Sequence, residues 1–394
     1  MSDRILLGTR KGTVIVERSN ATWRPRPIAH AGIPVCYAAC DPRDGTLWAA
    51  LDHGHWGPKL SRSRDGGTSW EDVLSLKYPE GARYIVKYLP TPDFNPEAPV
   101  GQPEYKDATV YKIWNLAFGH AEQPGTLYAG TIPGGLFVSH DSGDTWALNR
   151  PLWNHASRGG DLFAGEATSA NRWGGTPASI DYGVFEPGIH SIIINPQNAK
   201  HILVAVSSAG VLESRDAGQS WRSRNLGMLM DYLPNPESEW GHDPHFVTLC
   251  PAQPEHLWQQ NHCGVFYSNN GAQSWKKVSL PDSGVHFGFP IAVDEQDGRT
   301  AWVVPALADS QRMAIEGGLC VVRSSDGGES WQAFRKGLPQ DNAYDIVYRH
   351  GLAIAGDCLC FGTTTGNVYL SEDRGESWYC LGHNFPPVYS VRFG

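Results

Sequence analysis

The sequence predicts an all-β chain of 394 residues folded as a single seven-bladed β-propeller. Three observations predict it: a turn motif that recurs along the chain, the spacing of its copies, and two complementary half-blades at the termini.

The motif reads S-x-D-x-G-x-[ST]-W. Full copies run from Ser63 to Trp70, Ser139 to Trp146, Ser214 to Trp221, Ser324 to Trp331 and Ser371 to Trp378. A further copy, Ser268 to Trp275, has Asn270 in place of the Asp and brings Gly271 one position early. A degraded one ends at Trp23. Each residue type suits a hairpin turn. The Asp carboxylate accepts from N–H groups of its own turn. Gly supplies a positive φ, and Trp packs an indole into the layer.

Successive motif tryptophans, Trp23, Trp70, Trp146, Trp221, Trp275, Trp331 and Trp378, lie 47, 76, 75, 54, 56 and 47 residues apart. The shortest interval fits one four-stranded blade, for which about 40–50 residues are usual. The two long intervals predict insertions near residues 71–109 and 147–187, rich in Tyr, Trp, Gly and Pro. Loops of that length on a rigid scaffold are commonly functional walls or lids.

Between the motifs, short β-branched runs are separated by turn residues. In one blade they are Ser191 to Ile194, Ile202 to Val206 and Gly210 to Glu213. Comparable opening strands are expected at Val35 to Cys40, Ile113 to Phe118, Phe246 to Cys250, Pro290 to Val293 and Tyr344 to Val347. The N-terminus starts with a second strand, Ile5 to Thr9. The chain ends in an opening strand, Val388 to Phe393, with no successor. Together they complete one blade and remove a sheet edge.

The repeated turn resembles the Asp-box of BNR-repeat, sialidase-like propellers. That resemblance implies that the boxes lie on the rim away from the ligand. It places sites on the opposite, top face, where blade connections and both insertions fall. The match to true sialidases is poor. Those are six-bladed and carry an arginine triad, a Tyr–Glu pair and a Phe-Arg-Ile-Pro motif. Here Gly32-Ile33-Pro34 and Thr131-Ile132-Pro133 lack the Arg.

Composition excludes other classes. Lys and Arg number 32 against 41 Asp and Glu, a net charge of −9 without a basic run, so nucleic acid and anionic membranes are not expected partners. No apolar run approaches the ~18 residues of a membrane span, and the N-terminus does not read as a signal peptide. The eight cysteines form no CxxC pair, which suits free thiols in a reducing cytoplasm. P-loop, GxGxxG and GxSxG patterns are absent.

Chemistry is therefore expected among unrepeated residues of the top face. His190 and His245 occupy the same position in adjacent blades, at the start of an opening strand. His262 follows in the top turn of the His245 blade. Together these three are candidate ligands for Zn or another divalent transition metal, the only cofactor expected. Asp52, Asp243 or Glu186 would add a carboxylate ligand or an acid/base. His53, His55, Trp114, Arg172, His190 and Tyr389 are candidate substrate-binding residues, and Asp243, Glu186 and Asp181 candidate catalytic ones. The expected ligand is a small polar molecule or a saccharide, and the expected activity a metal-assisted hydrolysis of it. Two alternatives stand beside this. One is a glycoside hydrolase with a carboxylate pair about 5–9.5 Å apart, drawn from Asp161, Glu166, Asp181, Glu186 and Asp243. The other is a noncatalytic scaffold or assembly factor.

Overall fold

The computed structural model of the chain describes residues 3–20, 22–89, 102–161, 163, 171–173, 187–231, 236–279 and 284–394. The fold is a seven-bladed β-propeller, each blade a four-stranded sheet. The chain divides into two compact units, Met1–Val73 with His245–Gly394, and Leu74–Pro244.

In the first unit the termini share a blade. Its strands run in the order Thr22–Pro25, Gly12–Ser19, Arg4–Thr9, Val388–Phe393. Arg4–Thr9 pairs antiparallel with the C-terminal strand, Leu7 opposite Val391. Ile5, Leu7, Val388 and Val391 are fully buried and pack with Val14, Cys360 and Leu370 of the neighbouring strands. Unfolding either terminus therefore exposes the same apolar layer, which is why the closure stabilises both ends. Blade strands are covered on both faces, so they read as continuous apolar runs rather than alternating ones.

The strand expected at Tyr344 to Val347 is a correction. That segment is irregular, and the blade opens instead at Leu352–Ala355, opposite Cys358–Gly362. A tight turn at Gly356 sets this register, pairing Ala355 with Cys358 and Leu352 with Phe361. Ile346 is bonded to Thr364 on both sides of its peptide instead.

In the second unit lie the blades Lys112–Phe118 to Ala147–Leu148 and Ile189–Ile194 to Arg222–Ser223. The insertion near 71–109 contains a paired strand ladder, Arg83–Leu89 with Gln102–Asp107. The insertion near 147–187 begins with a helical turn, Arg150–Trp153, capped by Asn149 Oδ1 accepting from Leu152 N at 2.9 Å. Buried Arg158 then sits between Trp153 and Trp173, 3.9 and 4.4 Å from their ring centroids, and donates to the Gly134 carbonyl at 2.6 Å.

The repeated turns are hydrogen-bond cages. In one copy Asp141 accepts from Ser139 Oγ at 2.7 Å, Thr145 N at 2.9 Å and Thr145 Oγ1 at 2.6 Å. These bonds hold its carboxyl down at about 2. Asp216 and Asp326 behave alike, each at about 2. In the Asn270 copy the amide donates to Ser274 Oγ at 2.9 Å, so the cage survives without a charge. The turn glycine is required sterically: Gly328 has φ +85° and a Cβ there would lie 2.4 Å from Val278 Cβ. Among the described residues no helix is long and apolar enough to cross a membrane.

Candidate functional site

The first unit brings two of the predicted histidines together. His245 is the second residue of the strand Pro244–Leu249 and is 2% exposed. Its Nδ1 lies 2.6 Å from the Gly288 carbonyl, at the head of the strand Gly288–Val293. A carbonyl only accepts, so Nδ1 carries the proton and Nε2 keeps its lone pair. Burial, followed by the positive charge of Arg349, holds His245 well below the usual histidine range and therefore neutral. A neutral imidazole braced by a carbonyl is the form in which histidine binds metals.

Packing fixes the ring. Phe289 stacks on His245 at 4.6 Å with an interplanar angle of 21°, and Phe287 meets it edge-on at 5.5 Å. His262 lies 5.7 Å away, also edge-on, in the tight turn between Leu257–Asn261 and Gly264–Ser268. That turn is braced from within: Cys263 N donates to Asn261 Oδ1 at 3.1 Å, and Asn261 Nδ2 to Gln259 Oε1 at 3.1 Å.

Asp243 immediately precedes the strand that carries His245. One ligand atom from each of Asp243, His245 and His262 lies within 4.8 Å of the other two. His245 is buried, and the other two are half-buried. Two imidazole nitrogens and a carboxylate oxygen suit a borderline divalent transition metal, with a coordination position left over.

Gln260 approaches the same corner. It is 1% exposed, donates to the carbonyls of Asn261 and Gly264, and its Oε1 has no partner among the described residues. A Cβ on Gly288 would sit 3.3 Å from that oxygen and 3.0 Å from the Val304 carbonyl. The glycine is what lets the His245 acceptor and the buried amide approach each other. Arg312 and Arg349 complete the surroundings, each guanidinium carbon 5.4 Å from the Phe289 ring centroid.

The remaining predicted residues are placed as follows. His190 lies in the second unit on the strand Ile189–Ile194, fully buried, with Nδ1 3.0 Å from Ser191 Oγ and its ring 5.5 Å from Trp114. It is not a member of the Asp243–His245–His262 group. His190 and Trp114 each fall at a register shift just after the first or second residue of an opening strand, as Cys36 does in its own blade. A bulge re-aims the extra residue's side chain. His53 ends the strand Leu47–His53, where its Nδ1 accepts from Trp56 N at 3.3 Å. His55 meets the exposed Trp56 ring at 4.9 Å. Arg172 donates its backbone N–H to the Ser157 carbonyl at 2.6 Å. Tyr389 lies 5.8 Å from Tyr348. Asp161 accepts from Asn154 Nδ2 at 3.0 Å. Asp181, Glu186 and Glu166 lie outside the described residues. Gly288, Phe287, Phe289, Gln260, Arg312 and Arg349 escape the sequence reading. The available signal was the run Gln259-Gln260-Asn261, three amide side chains in a strand whose every residue is buried.

No protein-family model matches the sequence, and neither does any curated protein. Solved structures do match. A GH74 enzyme from Niastella koreensis is similar over 95% of this chain and 51% of its own, at 15% identity and a TM-score of 0.58. An ancestral GH74 enzyme is similar over 88% of this chain and 38% of its own, at 17% identity and a TM-score of 0.54. A putative 6-phosphogluconolactonase from Bacteroides fragilis is similar over 99% and 97%, at 10% identity and a TM-score of 0.53. The chain thus spans about half the length, or less, of the GH74 enzymes it matches. At these identities the likeness is one of fold.

Proposed function

We propose that this propeller holds a divalent transition metal on Asp243, His245 and His262 and there binds and hydrolyses a small polar substrate. The observation that supports this most is the convergence of three metal-type donors around a histidine whose proton is already assigned by the Gly288 carbonyl.

A metal held by Asp243, His245 and His262 would supply Lewis acidity toward a substrate oxygen and would lower the pKa of a water toward about 7. The chain's own residues do the rest. Phe287 and Phe289 keep water from the His245 side and lock its ring. Gly288 fixes its tautomer. Half-buried Asp243 and His262 are the members within reach of a ligand from solvent. The fold likeness to GH74 enzymes keeps a saccharide among the candidate substrates.

The test is turnover by the cobalt- or zinc-loaded protein on a panel of aryl glycosides, aryl esters and lactones, with EDTA treatment and Asp243→Asn and His262→Ala in parallel. The proposal expects turnover of one class that is lost in all three. Turnover that survives EDTA, or none on any class, counts against it.

A further inference from the structure

The hairpin tip after the strand Leu47–His53 holds an indole out of the protein. The chain has 15 tryptophans, and Trp56 alone is exposed, at 69%. Single apolar residues on a surface are usual, but this tip is built to keep its ring there. Asp52 pairs with Pro58 and His53 with Gly57, so residues 54–56 form the tip. Gly57 takes the φ of +75° that closes it, and Pro58 stiffens the return strand. Trp56 N donates to His53 Nδ1 at 3.3 Å, and the exposed His55 ring stands edge-on to the indole, 4.9 Å away at 89°. A backbone N–H only donates, so His53 Nδ1 holds a lone pair and Nε2 carries the proton. Neither histidine has another hydrogen-bond partner among the described residues. The hairpin joins the second and third strands of its blade, as the His262 turn does in its own.

We propose that this tip is a saccharide-binding platform: Trp56 stacks on the face of a pyranose ring, and His53 and His55 bond the hydroxyls at its rim. The chemistry of the tip selects this class. A cation sits well on an indole face but accepts nothing from an imidazole N–H. A flat aromatic ligand leaves both imidazoles unbonded. A hydroxyl both donates and accepts, and the imidazoles offer His53 Nε2–H and the two ring nitrogens of His55. A pyranose carries such hydroxyls around its rim and C–H groups on its face, which suit the apolar body of an indole. The tip is set by its own turn, so little ordering is needed when a ligand arrives. This goes beyond the metal reading and requires no metal.

The experiment titrates cellotetraose, xylotetraose, maltotetraose and mannotetraose into the EDTA-treated full chain by calorimetry, with tetramethylammonium as the cation control. Trp56→Ala, Trp56→Tyr and His53→Ala are compared with the parent after circular dichroism confirms their folding. The expected result is binding of at least one saccharide that weakens at least about tenfold in Trp56→Ala. Trp56→Tyr keeps an aromatic face and should stay within about threefold of the parent. His53→Ala should weaken binding about three- to tenfold. Saturating saccharide should shift the tryptophan emission of the parent to the blue and leave that of Trp56→Ala unchanged. Absence of binding to all four saccharides, or equal binding by parent and Trp56→Ala, overturns the proposal. So does uptake of tetramethylammonium in place of saccharide. Self-association of the parent that Trp56→Ala abolishes, seen by analytical ultracentrifugation without saccharide binding, makes the tip a contact between copies and overturns it too. Failure of the metal-dependent turnover with Trp56-dependent saccharide binding intact would remove the function proposed above and leave this inference standing.

Discussion

Replacing Glu213 with Gln tests how the second unit is held together. Glu213 lies on the strand Gly210–Ser214 with its side chain fully buried. Both carboxylate oxygens are occupied. Oε1 lies 2.8 Å from His201 Nε2 and accepts from Arg215 Nε at 2.9 Å. Oε2 accepts from Arg222 Nε at 2.8 Å and Arg224 Nη2 at 2.6 Å. Burial pushes the carboxyl up, but the bonds from His201, Arg224 and Arg222 win and hold it at about 2 rather than 4.5. At 1.36 kcal/mol per pKa unit that is about 3 kcal/mol for the ionised form. Arg215 and Arg222 are more than half exposed and keep part of their hydration, which reduces the figure to about 2–3 kcal/mol. Glu213→Gln keeps the shape and removes the charge, so its neutral-pH unfolding free energy should fall by that amount. Because the folded pKa is depressed, the contribution is complete above about pH 4.5 and is lost as pH falls toward 2. Chemical denaturation of parent and variant at pH 7 and at pH 3 measures it, and the gap should narrow at pH 3. A variant as stable as the parent at pH 7, or a gap independent of pH, would mean that the ionised Glu213 carboxylate does not stabilise the unit.

Three further outcomes follow from the packing. Gly328→Ala forces a Cβ to 2.4 Å from Val278 at φ +85° and should cost about 1–3 kcal/mol in chemical denaturation. Arg158→Ala strips the layer between Trp153 and Trp173 and leaves the Gly134 carbonyl without its donor. It should cost about 3 kcal/mol and quench less tryptophan fluorescence change on unfolding. The caged aspartates have depressed pKa values, so their contribution is present above about pH 4 and declines toward pH 2. Asp141→Asn should flatten that part of the stability-versus-pH curve, and an unchanged slope would count against the cage.

The fold was legible because its signals are local. A Ser, an Asp, a Gly and a Trp at fixed spacing specify a turn whose Ser and Asp side chains bond within eight residues, as the Ser139–Trp146 copy shows. The split blade was legible because Ile5–Thr9 reads as a second strand with no opening strand before it and Val388–Phe393 as an opening strand with no successor, and the two pair. The opening strand at Leu352–Ala355 was missed because Tyr344 to Val347, with Ile346 and Val347, is richer in β-branched residues than Leu352 to Ala355, which has Ile354 alone. The hairpin at Gly356, rather than propensity, decides which segment pairs.

The site was half legible. His245 and His262 share a blade, so a strand start and the next top turn meet by construction. Asp243 joins them because it leads into the same strand. His190 looked equivalent to His245 by repeat position, but its ring packs beside Trp114 and it is not a member of the Asp243–His245–His262 group. Gly288, Phe289, Arg312 and Arg349 come from other blades and from an irregular segment, where nothing in the repeat announces them.

Metal binding by Asp243, His245 and His262 is a proposal that the protein itself can decide. It is tested by metal analysis of the full chain purified without a His tag, followed by cobalt titration of parent, His245→Ala, His262→Ala and His140→Ala, a histidine outside that group. The account predicts about one ion per chain in the parent and in His140→Ala, and affinity at least about tenfold weaker in His245→Ala and His262→Ala. Negligible metal in the parent, or equal uptake by all four proteins, would contradict it.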